Sequence, residues 1–90
     1  MSITIDVSTF FRKYTNGQQV VEVYGNTVGR CLDDLVKQFP GIKQGLFDES
    51  GKLQNYIDIY VNGESAYPEV LAKPVKDGDE LHIIFLIGGG

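Results

Sequence analysis

The run Leu81-His82-Ile83-Ile84-Phe85-Leu86-Ile87 most constrains what this chain can fold into, because it is apolar on both faces when read as a strand. With a period of two, Leu81, Ile83, Phe85 and Ile87 fall on one side and Ile84 and Leu86 on the other. A strand of that kind belongs in the middle of a sheet. The chain offers one main amphipathic helix to cover it. Val28, Leu32, Leu35, Val36 and Phe39 recur at helical spacing, while Asp33, Asp34, Lys37 and Gln38 point elsewhere. One helix covers one face of a sheet. The other face meets water or a partner, and apolar residues on it form an exposed patch.

The remaining elements follow in order. Ile3-Thr4-Ile5-Asp6-Val7 alternates as a half-buried strand, and Gln19 to Tyr24 reads as a second strand pairing with it. Ser8 to Gln18 is a long connection with a turn at Asn16-Gly17. Thr27 is placed to cap the helix, although Arg30 stands where a capping box needs Glu. Pro40-Gly41 ends the helix, because the residue before proline is pushed out of the helical region. Ile42 to Phe47 reads as a short helical turn. Tyr56 to Val61 is a third strand, stopped by the turn dipeptide Asn62-Gly63. Glu64 to Pro74 is irregular with a minor strand near Tyr67–Val70, and Asp77-Gly78-Asp79 turns the chain into the last strand. This pattern predicts an α+β roll with a mixed sheet of four to five strands and one main helix packed on one face.

Composition removes several classes of function. Ninety residues make one domain, expected over residues 1–87, with 88–90 as a flexible Gly-Gly-Gly tail. A net charge of −4 with scattered Lys and Arg argues against nucleic acid as the main partner. A single cysteine, Cys31, excludes an internal disulfide, a Cys-rich zinc site and a four-Cys iron–sulfur cluster. No apolar run approaches the ~20 residues of a membrane helix, and nothing resembles a signal peptide. The expected location is the cytoplasm, with no membrane partner.

Among single residues, His82 sits inside a strand with no second ligand at motif spacing and reads as structural. Cys31 lies near the apolar face of the helix and reads as a small core residue. Asp77, Asp79 and Glu80 lack calcium-loop spacing, so no metal site is expected. Phe10, Phe11, Ile84 and Leu86 are expected to be docking surface rather than ordinary packing. Gly88-Gly89-Gly90 reads as a thin arm holding out a carboxylate. Glycine permits close backbone approach, and three extended residues reach ~10 Å.

The order of these pieces resembles a known family. Thr27-Val28-Gly29 opens the helix, Phe39-Pro40-Gly41-Ile42 closes it, and Gly51-Lys52-Leu53 lies in the following loop. Tyr56 to Glu64, Asp77-Gly78-Asp79-Glu80-Leu81 and Gly89-Gly90 complete the set. Together they are similar to the ubiquitin-like sulfur carriers of β-grasp fold. These comprise the small subunit of molybdopterin synthase (MoaD), the thiamin sulfur carrier (ThiS) and the carrier of a cysteine synthase system. Thr9, Arg12, Thr15, Gly17 and Gln18 look most like the cysteine-synthase type. Phe85 and Leu86 depart from it, standing where many members have Pro and Ala.

The resemblance implies a protein cosubstrate and not an enzyme by itself, or else the small subunit of a heteromeric molybdopterin synthase. A carboxylate with a pKa of roughly 3.3–3.7 is ionised at pH 7 and is a poor electrophile, so it must be activated. By resemblance, an E1-like enzyme using ATP adenylates Gly90, and the acyl adenylate becomes a thiocarboxylate. Gly88 and Gly89 would occupy the partner's slot. The implied acceptor is a molybdopterin, cysteine or thiamin synthase, and no cofactor is bound by the chain. Two other readings stay open at this point: a ubiquitin-like modifier joined to lysines through Gly90, and a β-grasp interaction domain with an inert tail.

Overall fold

The computed structural model describes residues 2–86. Strands β1 (Ser2–Asp6) and β2 (Val20–Tyr24) pair antiparallel, with Ile3 opposite Val23 and Ile5 opposite Val21. Helix α1 (Val28–Gln38) follows, then a 3₁₀ turn (Pro40–Ile42) and a short helix α2 (Lys43–Leu46). Strand β3 (Ile57–Val61), a two-residue strand β4 (Glu64–Ser65) and strand β5 (Glu80–Phe85) complete one five-stranded sheet ordered β2-β1-β5-β3-β4. The last strand is therefore central. It runs parallel to β1 and antiparallel to β3, so the sheet is mixed. This is the β-grasp roll.

The alternation of each strand sets which side is buried. Ile3, Ile5, Val21, Val23, Ile59, Leu81 and Ile83 turn inward, and Val28, Cys31, Leu32 and Leu35 of α1 pack with them in one core. Fully burying each of the larger aliphatic side chains is worth about 1.5–3 kcal/mol. The helix starts where expected: the Thr27 hydroxyl accepts a hydrogen bond from the Arg30 amide at 3.2 Å. It stops at Phe39, before Pro40.

Two segments differ from the sequence reading. The long connection after β1 holds an element the sequence did not indicate, a 3₁₀ helix over Thr9–Thr15, closed by the expected turn at Asn16 and Gly17 with φ 56° and 82°. The minor strand is also displaced. Asn62 and Gly63, at φ 50° and 88°, make a two-residue turn that sends the chain straight back, so Glu64 and Ser65 pair with Val61 and Tyr60. Pairing near Tyr67–Val70 is lost because the turn has already placed the partner residues. Tyr67 is left 78% exposed, and Val70–Ala72 forms a 3₁₀ turn.

The turn into β5 is fastened to the turn after β3. The Asn62 side-chain amide donates to Asp79 Oδ1 at 2.9 Å, and the Lys76 amide donates to Asp79 Oδ2 at 2.9 Å. The Glu80 amide in turn donates to Asn62 Oδ1 at 2.9 Å. The Asn62 side-chain amide first, then the Lys76 amide, hold the buried Asp79 carboxyl below the usual carboxylate range. A lowered folded-state pKa stabilises the fold fully above the unfolded value of roughly 3.9, and that stability is lost as pH falls through the folded value. Asp79→Ala should therefore cost about 1–3 kcal/mol at pH 7 by orphaning these donors. It should also flatten the acid limb of stability below about pH 4, measured by urea unfolding across pH. An unchanged acid limb would remove Asp79 from the acid response.

Candidate functional site

The site of interest is the end of β5, the described segment next in sequence to Gly88-Gly89-Gly90. Strand β1 stops early: its last partner on β5 is Asp6 opposite His82. Strand β3 continues further, to Ile57 opposite Phe85. The 3₁₀ helix Thr9–Thr15 supplies aromatic rings to this end of β5. Phe10 stacks on Phe85 with centroids 4.8 Å apart and planes at 21°. Phe11 meets the same ring edge-on at 6.3 Å, and Tyr56, just before β3, meets it edge-on at 5.1 Å. The Leu86 amide donates to the Tyr56 carbonyl at 2.7 Å. Phe85 is thus gripped by rings from two segments, and the next residue is held by one backbone bond.

The four residues expected to dock a partner divide. Phe10 is 54% exposed and Leu86 46%, while Ile84 is half-buried. Phe11 is fully buried and belongs to the core, which corrects the expectation for it. Its ring lies over Gly45, where an added Cβ would stand 2.7 Å from Phe11 Cε1. Adjacent residues on the 3₁₀ helix point in different directions, so one phenylalanine faces in and its neighbour out. Ile84 alternates to the face opposite Phe85. Gly88, Gly89 and Gly90 lie outside the described residues, as does the boundary drawn at residue 87.

The uncovered sheet face is acidic. On that face the strands carry Asp6, Glu22, Asp58 and Glu80, and no strand carries Lys or Arg. His82 is paired here: its Nε2 stands 3.6 Å from Asp6 Oδ2, both side chains being about one-third exposed. The sequence concealed this partner, since only the parallel register of β1 and β5 brings the two together. An open groove of about 550 Å³ borders Leu86, lined also by Leu53, Ile57, Asp58 and Tyr67.

Cys31 behaves as the sequence indicated. It is buried in α1, and burial first, then Asp34, pushes its thiol up to about 11. A thiol so placed is almost entirely protonated at pH 7 and is a weak nucleophile. Folded protein should therefore react with an aromatic disulfide reagent at well under a tenth of the rate seen in urea. Equal rates in the two conditions would show the site to be open.

With the geometry in place, the ThiS family model matches residues 5–90. The chain belongs to the ThiS family. This ThiS-family chain is 37% identical over 93 aligned residues to the sulfur carrier protein CysO of Mycobacterium tuberculosis, with all of both chains covered. It is 37% identical over 71 residues to small archaeal modifier protein 1 of Haloferax volcanii, covering 78% of each. Among solved structures it superposes on a chain of the Amycolatopsis orientalis BexX/CysO complex with a TM-score of 0.87. The identity there is 38%, over 98% of this chain and 99% of the other. Among the described residues of the ThiS-family chain, no helix is long and apolar enough to cross a membrane.

Proposed function

We propose that this chain is a sulfur carrier that acts as a protein cosubstrate, with Gly90 as its reactive residue. The observation that carries the reading is the match to the sulfur carrier CysO, which runs through the whole of both chains. A Gly90 carboxylate oxygen attacks the α-phosphorus of ATP on an E1-like enzyme, releasing pyrophosphate and leaving an acyl adenylate. A hydrosulfide ion then attacks the carbonyl carbon, forms the C–S bond, expels AMP and loses its proton to water. The product is a thiocarboxylate, which hands its sulfur to an acceptor held by a synthase. The likeness to CysO favours a cysteine-forming synthase over a molybdopterin or thiamin one. On this reading the chain supplies the sulfur and a docking surface, its partners supply the catalysis, and the meeting place is the cytoplasm. The acidic sheet face, with Ile84 and Leu86 beside it and Phe10 at the end of β5, fits a partner bearing basic groups around an apolar centre.

The test is an intact mass after incubation with host lysate, ATP and sulfide. A gain matching one oxygen replaced by sulfur, mapped to Gly90, is the expected result. An unchanged mass with an active adenylating enzyme present would overturn the reading. The likeness to small archaeal modifier protein 1 favours one alternative. In it, a lysine amine attacks the same acyl adenylate, expelling AMP and forming an isopeptide. That reading predicts conjugates of the chain with lysate proteins and no thiocarboxylate.

A further inference from the structure

We propose that Phe10, Tyr56 and Phe85 are positioning residues, an aromatic collar that holds the end of β5 and so fixes the origin of residues 87–90. The inference rests on the carrier reading above and adds residues to it. Its basis is the loss of strand pairing at this end of the sheet. β1 accompanies β5 only as far as His82, so among the described residues Ile83, Ile84 and Phe85 have a strand partner on one side alone. At Leu86, the last of the described residues, the amide donates to the Tyr56 carbonyl at 2.7 Å. The end of a strand paired on one side alone opens more readily than its doubly paired middle.

The rings replace the missing ladder. Phe85 is stacked by Phe10 at 4.8 Å and met edge-on by Tyr56 at 5.1 Å, both within the range of favourable aromatic pairs. Tyr56 thereby holds both the ring of Phe85 and the backbone of Leu86. Phe10 is more than half exposed, so its role here is contact with Phe85 rather than core filling. Lys13 Nζ lies 5.7 Å from the centre of the Phe10 ring and 5.2 Å from that of Tyr14, bracing the outer side of the collar. A reacting group at the end of a short arm benefits from a fixed root, because each residue that must be ordered on binding costs conformational entropy.

The experiment compares wild type with Phe85→Ala, Phe10→Ala and Phe85→Tyr. The rate of thiocarboxylate formation is followed by intact mass against carrier concentration. The lysate comes from a host strain lacking its own copy, with ATP and sulfide added. The apparent KM should rise about tenfold in Phe85→Ala, the order expected for ordering one further residue, with the limiting rate unchanged. Phe10→Ala should show a smaller rise in the same direction, and Phe85→Tyr should restore the wild-type value. The ¹⁵N order parameter of Leu86 should fall in both alanine variants and recover in Phe85→Tyr. Unchanged KM in folded Phe10→Ala and Phe85→Ala overturns the proposal. If Phe85→Ala fails to fold, Phe10→Ala decides alone through the order parameter of Leu86 in the unbound chain, which the loss of a docking contact would leave unchanged. If wild type itself forms no thiocarboxylate, the carrier reading has failed. The collar is then decided by Leu86: an unchanged order parameter overturns it, and a fall supports it.

Discussion

A chain lacking Gly89 and Gly90 should form no thiocarboxylate and should melt where the full chain does. Both halves of this result have a physical cause. The reacting carbonyl on the carrier reading belongs to Gly90, so shortening the arm withdraws the electrophile from the partner's active site. One extended residue spans about 3.3–3.6 Å, so a loss of two moves the carboxylate back by roughly 7 Å. Catalysis is sensitive to displacements of about 1 Å, and no residual rate is expected over such a gap. Stability is unaffected because the core closes without these residues: the buried hydrophobic side chains described lie between Ile3 and Ile83. A change away from any buried feature is worth within about 0.5 kcal/mol, so the midpoint should move by less than about 4 °C. The measurement pairs intact mass with thermal unfolding. Sulfur transfer retained by the truncated chain would remove the glycines from the mechanism and leave an interaction domain with an inert tail. A large fall in the melting point would show instead that the tail is part of the fold.

Phe11→Ala should destabilise the protein severely, while Phe10→Ala next to it should cost little. Phe11 is fully buried, and its ring fills space left by the absent side chain of Gly45. Emptying such a site costs about 3–5 kcal/mol, a large part of the roughly 5–15 kcal/mol that holds a typical domain together. For a domain of this size the midpoint should fall by roughly 15–30 °C. Phe10, more than half exposed, loses chiefly its stacking on Phe85, about 0.5–1.5 kcal/mol. The pair is measured by thermal and urea unfolding. Similar costs for both variants would mean that the 3₁₀ helix is not seated as described, and would return Phe11 to the docking surface. Gly45→Ala provides an independent check on the same contact: a Cβ there forces the Phe11 ring to move, so it too should destabilise.

These two phenylalanines also show where the sequence stops being informative. Strand and helix periods are properties of neighbours along the chain, so α1, its Thr27 cap, the end at Pro40 and the central place of β5 were all legible. The turn at Asn62-Gly63 was legible because both residues tolerate positive φ. The 3₁₀ helix Thr9–Thr15 has no comparable signal: its residues carry no regular apolar period, and its conformation depends on what it packs against. The position of β4 was missed for a related reason. The turn was recognised, but the residues paired by it are decided by how tightly the chain returns.

By itself the sequence determined the α+β order, the single covering helix, the apolar central strand and the run of glycines beyond it. Those follow from spacing, and spacing is local. Only the tertiary structure decided that Phe11 is buried and Phe10 exposed, that His82 faces Asp6, and that Phe10 and Tyr56 meet on Phe85. Each of these contacts joins segments far apart in the chain. Their existence depends on the parallel register of β1 with β5 and on the 3₁₀ helix beyond the end of β1, and neither leaves a periodic trace in the residues that make it.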